Sequence, residues 1–594
     1  MNERQLRHWI EDVREGRLPR RTFLQRMAAV GLSAPLGAQL LMHAGIAQAQ
    51  TASTYKPTKR GGGGALRLLW WQGPTLLNPH FASGTKDQEG SRIFYESLAI
   101  WDNDANLVPI LAAEIPTRAN GGLSADGRSV TWKLKRGVNW HDGQPFTADD
   151  CVFNWEFARD PATAAVTSGF YKDVKVEKID SHTVRVVFQQ PTPFWATTFV
   201  GNTLIPKHLF AAYSGAKSRD APANLKPVGT GPYRFVEFKP GDMVRGELNP
   251  NYHLPNRPYF DTIEMKGGGD AASAARAVIQ TGEYDYAWNL LVEDEILKRM
   301  EDGGKGRAHM AASGNIEFIL LNATDPWTEV EGERAHISTR HFAFSEAPVR
   351  KAMALLVDRK AIQEFIFGRA AVGTANYINN PPRFRSPNTR MDFSVEKANE
   401  LLDGAGWKRG ADGIREKGGR KLKFVFQTSV NGLRQKVQAV VKQACQKAGI
   451  DVELKSVTAG VFFSSDYANP DTNSKFWCDM EMYQLQMGPP DPETLMKQFL
   501  TTEVATKANK WQGRNISRWR SEEYDKLYDA AEGELDPLKR AALFIRMNDL
   551  AVNTGHVIPL MNRMRVQAVR TKLAPTLTSW DLDLAFLHDW YREA

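Results

Sequence analysis

The stretch from Lys421 to Leu454 changes its hydrophobic period twice, and few architectures accept such a stretch. Residues 421–427 read as a strand, 433–448 as a helix and 450–454 as a second strand, a β-α-β unit. The same mixture recurs elsewhere. Val130, Trp132 and Leu134 alternate with Thr131, Lys133 and Lys135, the period of a half-buried strand. Val184, Val186 and Phe188 repeat it after the turn-like Asp180-Ser181-His182, and residues 65–71, Ile263 and Met265 add further strand signals. Helices interleave with these. Ser345 is placed to cap a helix burying Val349, Met353 and Leu356, and Asp358 one burying Ile362 and Phe365. Ser394 opens a helix that stops at Gly404 and Gly406, and Asp536-Pro537 opens one with Leu543, Met547 and Leu550 on one face. Strands mixed with helices throughout predict α/β lobes, not a bundle or a sandwich.

With 594 residues, 42% of them hydrophobic and 24% charged, the chain has globular composition and room for about two to four structural units. The formal charge is +8, but the first 49 residues hold seven arginines and four acids, leaving a mild +5 without a basic block. Nucleic acid is therefore not an expected partner. Three scattered cysteines (Cys151, Cys445, Cys478) make neither a disulfide framework nor a Cys-rich zinc site.

Residues 1–49 read as an export address. Arg20-Arg21-Thr22-Phe23-Leu24 precedes a small-residue apolar run from Met27 to Ala47 and resembles a twin-arginine signal. Ala47-Gln48-Ala49 has the small side chains that a signal peptidase accepts, so cleavage is expected near Ala49. Pro35, Gln39 and His43 interrupt the run, whereas a span normally wants about 20 apolar residues. No cysteine before Cys151 could carry a lipid anchor. A soluble, periplasmic protein is expected. Residues 50–64, ending in four glycines, read as a flexible leader.

Catalytic patterns are missing. The sequence has no H-E-x-x-H, G-x-S-x-G, C-x-x-C or P-loop pattern. His336 and His341 are five apart without helical period, so no metal site is expected there. Asp149 and Asp150 would diverge by about 100° on a helix, too far to share a proton. Gly229-Thr230-Gly231-Pro232 leads into the strand-like Tyr233-Arg234-Phe235-Val236, so it reads as a tight turn and not as a phosphate loop. No catalytic residue, cofactor or metal is expected.

An ordered set of landmarks covers most of the chain past the address segment. Val130-Thr131-Trp132 is followed by Trp140-His141-Asp142-Gly143 and Pro145-Phe146-Thr147-Ala148-Asp149-Asp150. Then come Ile205-Pro206-Lys207-His208, Val228-Gly229-Thr230-Gly231-Pro232-Tyr233, Asn249-Pro250-Asn251-Tyr252, Gly282-Glu283-Tyr284-Asp285, Val349-Arg350-Lys351-Ala352 and Ala405-Gly406-Trp407. In this order they resemble the family 5 extracellular solute-binding proteins, the oligopeptide, dipeptide and nickel receptors of ABC importers. Most read as scaffold: Asp142-Gly143 and the Gly229–Gly231 pair as turns wanting positive φ, and His141 as a local hydrogen-bonding group.

The resemblance implies a two-lobed periplasmic-binding-protein-like α/β fold of the large cluster C type. Lobe I would combine 65–100, 205–315 and 563–594, an inserted subdomain would span 101–204, and lobe II 316–562. Crossings are expected near 314–321 and 558–563. It further implies capture of a peptide-like or other small organic solute between the lobes and delivery to an ABC permease by a monomer that docks only peripherally at the membrane. A non-peptide solute (glycan, opine, aromatic compound or metal chelate) stays open, with an exported hydrolase as the enzyme alternative. Peptide binders of the family commonly place an Asp three residues before an acidic-Pro pair; here Gly488 precedes Asp491-Pro492. Dipeptide binders place an Arg after the strand equivalent to 421–427; here Thr428 stands there. Burying an unpaired terminus costs several kcal/mol, so either Asp491 or Glu493 substitutes or the solute lacks free termini. Trp70, Trp71 and Phe81 on the first lobe, Tyr377, Trp477 and Tyr483 on the second, and the loop residues Gln486 and Met487 are the remaining candidate contacts.

Overall fold

The computed structural model describes residues 55–593 except 83, 104, 172, 391, 464–468, 510 and 512, together with residues 8, 9, 12, 13, 18, 22, 23 and 26. Apart from those few positions, the address segment over 1–49 and its cleavage point lie outside the described residues.

Two mixed sheets organise the chain. The first runs Gly306–Ala311, Arg565–Arg570, Tyr286–Ala287, Ala65–Trp70, Thr262–Gly267, Met243–Leu248, Tyr233–Lys239. Ala65–Trp70 is parallel to both of its neighbours; its Leu66, Leu68 and Trp70 share one face and are fully buried, whereas Arg67 on the other face is exposed. The second sheet runs Ala371–Gly373, Val557–Arg563, Ile316–Leu321, Met480–Leu485, Lys423–Ser429, Asp451–Val457. In it the β-α-β unit appears as Lys423–Ser429, the helix Gly432–Lys447 and Asp451–Val457, the two strands parallel.

Strands Ile316–Leu321 and Val557–Arg563, where crossings were expected, lie wholly inside the second sheet and pair antiparallel. The chain passes between sheets over 312–315 and at Met564. These links are fastened to each other: Asn562 Nδ2 donates to Ser313 O at 2.8 Å and Asn315 O at 2.9 Å, and Ser313 Oγ to Arg563 O at 2.7 Å. Beside them Glu317 is fully buried and accepts from Arg434 and, at 3.1 Å, from Arg563. Burial would raise its carboxyl, but the two guanidiniums outweigh that and hold it below the ordinary range.

Within 101–204 the strands Ser129–Lys133, Thr183–Phe188 and Val174–Asp180 form an antiparallel sheet. The helix Ala148–Arg159 opens on a capping box between Thr147 and Asp150. Trp132, Val184 and Phe157 join Leu68 and Trp70 in one hydrophobic cluster, so this region shares its core with the first sheet.

Local readings are corrected at several places. Residues 55–64 are docked, not free: Gly62 and Gly64 donate to Asp261, Gly61 to Pro258 O, and Tyr55 stacks on Tyr591 at 4.7 Å, while 50–54 lie outside the described residues. Helix Ala347–Leu355 has Glu346, not Ser345, at its cap position, whereas Asp358, Ser394 and Asp536 do cap. Phe365 is 75% exposed because a π-helical turn over Gln363–Phe367 rotates it off the face of Ile362. Gly229 and Gly231 are needed for close approach rather than for positive φ: a Cβ at Gly229 would lie 1.8 Å from Phe94 O. His141 staples that turn, its ring bridging Gly231 O at 3.0 Å and Gly229 N at 3.1 Å, and burial lowers it to about 4.

Candidate functional site

A cavity of about 590 Å³ opens between the two sheets' units. Five pieces of chain wall it: the helix Thr85–Arg92, the segments around Val166–Phe170 and 196–203, the loop after strand Met480–Leu485, and residues 579–582 near the end of the chain.

The polar wall is built by long-range pairing. Arg92 donates to Asp581 Oδ1 at 2.6 Å and to Gly201 O at 2.7 Å, tying helix, inserted region and C-terminal segment together. One turn earlier, Glu89 accepts from Asp583 N at 2.7 Å and Leu584 N at 3.0 Å. Burial first, then the neighbouring Asp583, pushes the Glu89 carboxyl up to about 8. Asp583 also accepts from Arg565 and, at 2.5 Å, from Tyr286. The charges of this wall are thus spent on one another. Gln88, Asn202, Ser579 and Gln486 supply neutral hydrogen-bonding groups, and Trp101, Val200 and Trp580 supply apolar surface. Asp581 Oδ2 is buried, with no hydrogen-bond partner among the described residues.

The loop from Gln486 to Asp491 is held from beneath. Met487 packs against Gly314 in the first link, where a Cβ would stand 2.6 Å from Met487 Cβ. Among the described residues no group of three His, Cys, Asp or Glu side chains could hold a metal, and no helix is long and apolar enough to cross a membrane.

Residues 106–507 match the family model described as bacterial extracellular solute-binding proteins, family 5 Middle. The chain belongs to this family. Its relatives include the oligopeptide-binding protein AppA of Bacillus subtilis, 27% identical over 394 residues (65% of this chain, 67% of AppA). The glutathione-binding protein GsiB of Pectobacterium atrosepticum is 26% identical over 389 residues, 65% of this chain and 68% of GsiB. Among solved structures, NikZ of Campylobacter jejuni in complex with Ni(L-His) superposes with a TM-score of 0.71 at 21% identity, covering 89% of this chain and 99% of NikZ. AppA of B. subtilis in complex with a nonapeptide gives 0.70 at 22%, covering 91% and 100%. This family 5 member is therefore a solute-binding protein with the two-lobed α/β fold, and its relatives are binding proteins.

Within that frame the two sheets are the cores of lobes I and II. Gln486 and Gly488 lie on the cavity wall, with Met487 turned beneath them. Other aromatic candidates are turned into the protein. Trp70 is fully buried and stacked 5.9 Å from Trp288, and Trp71 donates to Trp288 O and Asn289 O, both at 3.1 Å. Tyr377 and Tyr483 are joined beneath the loop by Gln498, at 2.5 and 2.7 Å. Thr428 is fully buried, donating to Met482 O, and Phe81 lies under Arg219. Trp477 packs edge-on against Trp511, between Arg334 and Lys475. Their hydrophobic surface wins them a place in the core, which residue type alone does not distinguish from a cleft.

Asp491 forms a two-pronged pair with Arg540, and Glu493 accepts from Tyr528 and Lys497, both at 2.6 Å. Both carboxylates are already engaged within the protein. The cavity wall also holds Gln88, Arg92, Asn202, Trp580 and Asp581, which the sequence reading did not single out. The available signal was the polar and aromatic run Ser579-Trp580-Asp581 near the end of the chain.

Proposed function

We propose that the cavity between the lobes is the solute site, and that closure over a peptide-like or other small organic solute presents the protein to an ABC permease. The observation that carries this reading is a cavity of about 590 Å³ walled by both lobes, whose arginines and carboxylates already pair with one another. Gly488, Thr428 and the committed Asp491 leave no free partner for a charged terminus. Recognition therefore runs through amide and hydroxyl groups. Only contacts made in the closed form favour closure, and the links at 312–315 and Met564 are short enough to act as hinges. No bond in the solute changes: the chain acts as a binder, not an enzyme. In this reading a twin-arginine signal exports it and cleavage near Ala49 releases a monomer into the periplasm.

The test is a thermal-shift screen of the purified protein against peptides, opines, glycans, aromatic acids and chelated metals. A solute at 100 times its Kd should stabilise by about 2.7 kcal/mol, and Gln486→Ala should weaken that response. Conversion of any stabilising solute, or stabilisation indifferent to Gln486, would refute the reading.

A further inference from the structure

On the far side of the Gln486–Asp491 loop lies a second cavity, of about 540 Å³, between the inserted region and lobe II. Its ionisable lining is three arginines, Arg118, Arg383 and Arg540, against one carboxylate, Glu534. Arg540 is 6% exposed and neutralised by Asp491; its guanidinium lies 4.4 Å from the Phe194 ring and 4.8 Å from that of Phe544. Glu534 accepts from Asp536 N at 2.8 Å. Arg383 differs. It donates to Pro490 O at 3.0 Å and rests on Phe384 at 4.7 Å, yet among the described residues it has no carboxylate within ion-pair distance. A guanidinium has five N–H donors, and a partly buried one with a single carbonyl partner keeps an unmet demand for an anion. Asp491 acts on Arg383 as well as on Arg540, but Arg118, Arg383 and Arg540 still outnumber Asp491 and Glu534 by one positive charge.

We infer that this second cavity is a carboxylate-binding site, in which Arg383 forms a two-pronged pair with the anion and Arg118 closes the mouth. An arginine fork matches a carboxylate in shape as well as charge, and neighbouring rings lower the local dielectric that strengthens the pair. Arg118 and Ser124 belong to the inserted region and Arg383 to lobe II, so the bound anion bridges the two and favours the arrangement that brings them together. The site is distinct from the principal cavity and does not depend on which solute that cavity takes.

Isothermal titration and thermal shift of the purified full chain with succinate test this, with succinamide as the uncharged probe and inorganic phosphate as the competing anion. Succinate should bind saturably and succinamide should not. Arg383→Gln should weaken succinate at least tenfold and Arg118→Gln about threefold, with Arg383→Lys between wild type and Arg383→Gln. Lys351→Gln, exposed on another face, and Gln486→Ala, in the principal cavity, should leave it unchanged. Circular dichroism checks that each variant folds, and Arg118→Gln serves if Arg383→Gln does not. The inference falls if succinate fails to saturate, if phosphate alone binds, if both arginine variants match Lys351→Gln, or if Gln486→Ala removes succinate binding.

Discussion

Gly314→Ala is a single-methyl change in the link between the lobes that should be felt in the principal cavity. The added Cβ would stand 2.6 Å from Met487 Cβ and 3.1 Å from its Cγ and Sδ. Ordinary carbon contacts sit at about 3.5–4.0 Å, so the two must separate by roughly 1 Å. Met487 is 4% exposed and hemmed in by the Tyr483 region, so the loop, not just the thioether, must move. Overpacking of this size costs about 1–3 kcal/mol. The displaced loop carries Gln486 and Gly488, and losing one hydrogen bond there would weaken a solute by up to about tenfold. A double-mutant cycle isolates the cause. Met487→Gly alone removes buried surface and should cost about 3–6 kcal/mol, but in the Gly314→Ala background it also removes the Cβ that the added methyl meets. The two changes together should therefore cost at least about 1 kcal/mol less than their sum, measured by urea denaturation. Strict additivity, with unchanged affinity in Gly314→Ala, would show that the link and the loop are not in contact and refute the reasoning.

Other outcomes follow from the same contacts. Glu89 has its carboxyl raised from 4.5 to about 8, so the folded state holds the proton more tightly than the unfolded one. That contribution is full below about 4.5 and lost as pH rises through about 8; urea denaturation from pH 4 to 9 should show the decline, and Glu89→Gln should flatten it. Asp491→Asn leaves buried Arg540 unpaired and should cost about 1–3 kcal/mol, between exposed and buried pair values, with solute affinity within about threefold. Dipeptide binding that vanishes in this variant would instead make Asp491 the ammonium anchor. Gly229→Ala, with its Cβ 1.8 Å from Phe94 O, should prevent folded protein from accumulating. Gly137→Ala, in open space at φ +75°, should cost only about 1–2 kcal/mol by thermal denaturation; equal effects would remove close approach as the reason for Gly229.

Periodicity and capping chemistry are local, and where they governed the outcome the sequence was a sufficient guide. The β-α-β unit, the caps at Asp358, Ser394 and Asp536, and the alternating strands over 129–133 and 183–188 depend on neighbours a few residues away. Family membership was legible for a related reason: its landmarks are turns and scaffold residues whose order survives along the chain. The site was not. An indole has the same preference for a core as for a cleft, so Trp70 went inward against Trp288 while Trp580 reached the cavity wall. Asp491 is an acidic residue in a candidate loop until Arg540, on a helix beginning 46 residues later at Pro537, takes its charge.

What the sequence determined by itself was therefore the class of elements and the order in which they are threaded, because hydrophobic period and hydrogen-bonding caps act over a turn or a strand. Which groups line the cavity was decided only by tertiary structure. Arg92 and Asp581 stand 489 positions apart and meet at 2.6 Å, and no local property of either announces the other. Burial and pairing set which charges remain available, and both are properties of the assembled lobes.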